Sequence, residues 1–190
     1  MRIVPLYTNE KQLIRKAISG DRNYQKLLYD RFAPKMLGVC RQYIRDVQFA
    51  EDVMVNGFVK VFQNLESFQF KGSFEGWIRK IMVRESISYV RKKQFVVYDD
   101  EVVETGNASS TDSHSLLDAE YVQKLIDKLP EGYKMVFLLY AIEGYKHNEI
   151  AEMLKISEGT SKSQLFKARK MLQENLKLQG VTGSKKSLKK

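Results

Sequence analysis

One cysteine and two histidines in 190 residues leave little material for redox or metal chemistry. Cys40 has no second cysteine with which to form an intramolecular disulfide, and no cysteine-based zinc site can be assembled. Set on an apolar stretch around Met36 to Tyr43, it reads as a small buried side chain. His114 and His147 are too few for a metal site, which is not expected; a surface or capping role suits His147. There is no Gly-rich phosphate loop and no paired acid–base constellation, so an enzyme, a cofactor and a small-molecule substrate are not expected. No apolar run approaches the roughly 20 residues that a bilayer-spanning helix needs. Glu10, Lys11, Arg15 and Lys16 interrupt any apolar core of a signal peptide, so cytoplasmic residence is expected. Strand-like alternation is also scarce, with Phe95-Val96-Val97-Tyr98 the one extended candidate.

What the chain has in excess is positive charge: 32 Lys and Arg against 23 Asp and Glu, a formal net charge of +9. That balance favours an anionic partner, most often nucleic acid. The hydrophobic content of 43% supplies real cores. The clearest seam is compositional. Residues 98–118 read YDDEVVETGNASSTDSHSLLD, acidic, without a single Lys or Arg, and without helical periodicity in the middle. The expected organisation is an all-α protein of two small helical domains, 1–97 and 118–178. A flexible acidic linker (98–117) joins them, and a basic tail (179–190) is expected to be disordered.

In the first unit, Leu13, Ile14, Ala17 and Ile18 make a short apolar face that Gly20-Asp21 ends. A second helix carries Tyr24, Leu27, Leu28, Phe32, Met36, Leu37 and Cys40 inward, with Pro34 a place to kink or divide it. A third spans about Phe49 to Leu65 and a fourth about Phe74 to Lys93. In the second unit, a helix from Leu117 stops at Leu129-Pro130, and an almost wholly apolar helix from Glu131 to Ile142 ends at Gly144.

The segment YKHNEIAEMLKISEGTSKSQLFKARKMLQENL follows. Ile150, Ala151 and Leu154 mark one face of a short helix. Lys155-Ile156-Ser157 is a tight connection, and a second helix carries Leu165, Ala168, Leu172 and Leu176 inward. Two short helices with such a turn form a helix-turn-helix. Ser157 is a natural N-cap. Together with it, Glu158, Thr160, Ser161, Lys162, Gln164, Lys167, Arg169 and Lys170 compose the expected exposed, duplex-reading face. Gln164 suits an adenine edge, and the cations suit guanine or phosphate.

The first unit has two unusual surfaces. On the helix from Phe49, the face opposite the core carries Asp52, Val55, Asn56, Val59 and Gln63, partly apolar and partly polar. Such a face serves as a docking surface, or the helix is buried on both sides by its own domain. The second surface interleaves Phe68, Phe70, Phe74, Trp77 and Tyr89 with Lys71, Arg79, Lys80, Arg84, Arg91, Lys92 and Lys93. Aromatics stack on unpaired bases while cations follow phosphates. Gly72 and Gly76 loosen the loop so that a base has room to enter. Phe74 and Trp77 themselves are more simply core.

AEDVMVNGFVKVFQNL, GSFEGWIRKI and ISEGTSKSQLFKARKML, in this order and spacing, resemble the extracytoplasmic-function (ECF) group of bacterial sigma factors. The resemblance runs from about Glu10 to Leu178. It implies that Asp52, Val55, Asn56, Val59 and Gln63 dock on the clamp helices of the RNA polymerase core. The loop from Glu66 to Ser73 would capture an unstacked base of the promoter −10 element. Phe68, Phe70, Lys71, Arg79, Lys80, Arg84, Arg91 and Lys92 would support the opened strand, and the helix after Ser157 would enter the −35 major groove. It further implies an anti-sigma partner, commonly membrane-attached. Val55-Asn56 departs from the Gln-Glu or Gln-Asp pair frequent in the family, Arg84 replaces a common Asn, Ser88 a common Asp, and Gln164 a frequent Arg. The competing reading is a helix-turn-helix regulator that binds duplex DNA without serving polymerase. Such a protein has no need of the aromatic-basic loop.

Overall fold

The computed structural model describes residues 9–97 and 119–178; the acidic segment and the basic tail lie outside the described residues. The protein is all-α: eight helices and no strand form among the described residues. It divides into two units, residues 1–100 and 101–190.

In the first unit, α1 (Glu10–Ile18) begins at Asn9, whose side chain accepts from the Lys11 amide at 3.1 Å. Gly20 ends it with φ +84, a conformation that favours glycine. Asp21 then caps α2 (Arg22–Tyr43) by accepting from the Asn23 amide. This helix runs unbroken through Pro34. Pro34 and Asp30 are both exposed, so solvent can take the Asp30 carbonyl that lacks an amide donor. Asp46 caps α3 (Val47–Gln63), and a 3-10 turn at Leu65–Ser67 leads into the loop before α4 (Phe74–Val97). The segment 95–97, expected to be extended, is the last turn of α4. Propagation of an existing helix gains one hydrogen bond per residue, and that outweighs the β preference of two valines.

Helices α2, α3 and α4 bury Phe32, Met36, Cys40, Phe58, Ile78 and Met82 between them. The α3–α4 crossing is close because residue 57 is glycine: a Cβ there would stand 2.4 Å from the Met82 sulfur.

In the second unit, α5 (Ala119–Asp127) and α6 (Glu131–Phe137) precede α7 (His147–Leu154) and α8 (Glu158–Leu178). The expected α-helix to Ile142 instead widens into a π-helical turn over Leu138–Ile142. The Glu143 and Tyr145 amides close it by donating to the Leu138 and Leu139 carbonyls at 3.0 Å each. Gly144, at φ +77, ends the element. Nor is α6 purely apolar. Lys134 has no exposed surface, and its Nζ reaches Asp127 Oδ1 at 2.7 Å.

Candidate nucleic-acid interface

The helix-turn-helix is held by contacts within α7, the turn and α8. Glu149 accepts from the Lys146 amide at 2.7 Å, closing the first turn of α7. Lys155 takes the left-handed conformation, φ +56, and the Ile156 amide returns to the Ala151 carbonyl at 3.0 Å. Ser157 caps α8 by accepting from the Thr160 amide at 2.9 Å, and the two hydroxyls are 2.8 Å apart.

Ser161 does not belong to the exposed face. It is fully buried, and its Oγ lies 2.9 Å from His147 Nδ1. The His147 ring stacks on Tyr140 with centroids 4.7 Å apart. Half-buried His147 therefore ties α7 to α8 and to the π turn. With Ser161, Leu165 and Ala168 inward, the helical period of 3.6 turns Gly159, Ser163, Phe166 and Lys170 to the opposite side. Phe166 is 70% exposed, the most open large apolar side chain described. Residue-type reasoning passed over both Phe166 and Ser163; helical phase would have found them. Lys162, Lys167 and Arg169 flank this stripe. Lys167 lies over Tyr133 and Arg169 over Tyr140, at 5.8 and 5.4 Å from the ring centroids. Lys162 pairs with Glu158 at 2.6 Å, and this bond holds the Glu158 carboxyl below its ordinary value. Gln164 is half-buried on the flank, so near Gly132 that a Cβ there would stand 3.0 Å from its Nε2.

In the first unit, Ser67, Phe68, Gln69, Lys71, Gly72, Ser73, Gly76, Trp77 and Lys80 line a cleft of about 400 Å³. Phe68 is not an exposed stacking platform. It is 7% exposed, with the Phe74 and Trp77 rings at 5.0 and 5.6 Å, and borders the cleft from within the core. Phe70 is half-buried and does not line the cleft. From Lys80 at the cleft, exposed Arg84 and half-buried Arg91 continue along one side of α4 at spacings of four and seven, and exposed Lys92 lies beside the end of that stripe. Half-buried Arg79 is beside that stripe, and exposed Lys71 lines the cleft from the loop before α4. The acids of α4 are neutralised elsewhere: Glu75 by Lys35 of α2 at 2.9 Å, and Glu85 by Lys60 of α3 at 2.6 Å. The outer side of α4 is left cationic.

Asp52, Val55, Asn56, Val59 and Gln63 are all exposed on one side of α3, which decides against a helix covered on both sides. Val55 and Val59 are 46% and 48% exposed, and Phe49 at 44% extends the apolar strip by one turn. From the sequence Phe49 reads only as a helix start. Among the described residues, no group of His, Cys, Asp and Glu is placed to hold a metal, and no helix is long and apolar enough to cross a membrane.

The Sigma-70 region 2 family model matches residues 28–96, and the Sigma-70, region 4 model matches residues 119–172. The ECF RNA polymerase sigma factor SigW of Bacillus subtilis is 27% identical over 180 residues, covering 88% of this chain and 96% of that protein. The ECF RNA polymerase sigma-E factor of Haemophilus influenzae is 25% identical, covering 88% and 95%. Among solved structures, the sigma factor RpoE of Bartonella quintana, crystallised with the anti-sigma factor NepR, shares the fold with a TM-score of 0.54. It is 24% identical, over 80% of this chain and 96% of that one. The two family matches fall in order on the two units. The chain belongs to the sigma-70 family, in its extracytoplasmic-function group.

Proposed function

We propose that the two units are the two promoter anchors of a transcription-initiation subunit. The first docks through Asp52, Val55, Asn56, Val59 and Gln63 on the clamp helices of core RNA polymerase. Its cleft takes one unstacked base of the −10 strand, while Lys71, Lys80, Arg84, Arg91 and Lys92 follow the phosphates. The second lays α8 in the −35 major groove. The protein performs no bond chemistry of its own and works in the cytoplasm. An anti-sigma protein is its expected antagonist, since a solved relative is bound to one.

The observation that carries this reading is the pairing of a cleft continuous with a cationic stripe and a capped helix-turn-helix on the same chain. A duplex-only regulator uses only the second. The test is transcription by core polymerase with this protein across a promoter library. Start-site-specific transcripts are expected. Tight duplex binding by the protein alone, with no such transcripts, would establish the regulator reading instead.

Within α8 the roles divide by position. Phe166, with Ser163, faces outward and meets base edges, an aromatic ring being suited to a thymine methyl. Phe166→Ala is expected to cost about 1 kcal/mol, near fivefold in affinity, with the loss confined to one −35 base pair. Lys167→Ala should weaken all sequences alike and lower the salt slope by about one. Gln164 braces α8 against Gly132, so Gln164→Ala should produce a small, sequence-blind loss. A change of base preference would return base reading to Gln164.

A further inference from the structure

The loop bordering the cleft has one residue in a conformation its side chain disfavours. Phe70 sits at φ +56, in the left-handed region where a β-carbon is costly. Something must hold it there. One support is Phe68, whose ring is 4.9 Å from that of Phe70 and is itself fixed by Phe74 and Trp77. The other is Arg15 on α1, whose guanidinium lies 5.8 Å from the Phe70 ring centroid. The neighbours of Phe70, Gln69 and Lys71, both line the cleft, whereas Phe70 does not. The left-handed residue is thus where the backbone keeps an aromatic out of the cleft while both neighbours border it. Arg15 stands outside residues 28–96, the span of the region 2 match.

We propose that Arg15 is a positioning residue for base capture: by holding Phe70 against Phe68, it pre-organises the Gln69–Lys71 side of the cleft. Pre-organisation removes ordering entropy that binding would otherwise have to offset. The inference rests on the cleft being the −10 base site. It gives α1 a part in strand capture at a distance from the cleft itself.

The test uses holoenzyme assembled from core polymerase and the full chain, on a promoter fragment carrying 2-aminopurine at successive −10 positions. Fluorescence reports the unstacked base. An exposed cation over a half-buried ring contributes a modest amount, so Arg15→Ala should reduce capture about two- to fivefold. Core-polymerase affinity and −35 duplex affinity should not change. Arg15→Lys should recover part of the loss. Phe70→Ala should reduce capture as well, and adding Arg15→Ala to it should cost nothing further. If the Arg15 loss persists undiminished in the Phe70→Ala background, Arg15 acts on DNA phosphate directly and the proposal is overturned. Wild-type capture with no effect of Arg15→Ala overturns it too. If wild-type holoenzyme captures no base at any −10 position, the underlying reading of the cleft fails, and the inference with it. Circular dichroism of each variant checks that α1 remains folded.

Discussion

Lys134 is a cation with no exposed surface, 2.7 Å from Asp127, whose own side chain is 15% exposed. Taking both charges out of water costs several kcal/mol, which their attraction and hydrogen bond offset only while both remain. Lys134→Met keeps most of the volume and removes the charge, leaving Asp127 largely covered beside an apolar group. Asp127 retains a bond from Gln123 Nε2 at 3.2 Å and some solvent, which places the loss at the lower end of the range for broken buried pairs. About 3 kcal/mol is therefore expected. Removing both charges, in Lys134→Met/Asp127→Leu, should bring stability back to within about 1 kcal/mol of the wild type, because no unpaired charge is left. With two units in one chain, whole-protein melting is not a two-state measurement. Hydrogen exchange of the α6 and α8 amides under mild urea reads this unit alone. Two results would refute the reasoning: Lys134→Met within 1 kcal/mol of the wild type, or a double variant as unstable as the sum of its parts.

Burial pushes the Cys40 thiol up from its ordinary value to about 11, with Glu85 adding to the shift and the Ser86 hydroxyl opposing it. Native protein at pH 8 should therefore resist a disulfide-exchange reagent that labels the urea-unfolded chain at once. The folded pKa lies above the unfolded one, so the thiol's contribution is intact below about pH 9 and is lost as pH rises towards 11. Against a Cys40→Ala control, about 2 kcal/mol should disappear by pH 11 in urea titrations; parallel curves would contradict the assignment. Gly57→Ala gains helix propensity of about 1 kcal/mol but forces Met82 aside at a cost of about 1–3. It should lower the melting temperature of the first unit, and a Met82→Val background should remove the penalty. A stabilised single variant would mean that the Met82 thioether shifts at little cost.

Helix content, the helix-turn-helix and the surface of α3 were readable from sequence because each depends on period. Apolar residues every three or four positions specify a helix whatever packs against it. The Ser157 cap was equally local, satisfying an amide three residues away. What could not be read depends on neighbours distant in sequence. Nothing local reveals that the Lys134 stem enters the core, or that the His147 ring lies between Tyr140 and Ser161. Nor does a run of β-formers at 95–97 announce that α4 already reaches it.

The misassignments on α8 have a different origin. By residue type Ser161 belongs outward, since its hydroxyl suits a base edge. Phe166 was passed over because it is apolar. Once Leu165 and Ala168 are accepted as inward, however, geometry leaves no freedom: Ser161 is four residues before Leu165 and shares its side, while Phe166, five after Ser161, cannot. A buried serine is tolerable there because His147 supplies its hydrogen bond, so the same contact that removes Ser161 from the DNA face joins the two helices of the motif. Breaking it tests that coupling. Ser161→Ala leaves His147 Nδ1 without its partner and should cost about 1 kcal/mol, lowering −35 affinity for all sequences together. Ser161→Val fills the site without the hydroxyl and should cost more. Loss at a single base pair from either variant would mean that Ser161 turns outward on DNA, and that α8 rotates when it binds.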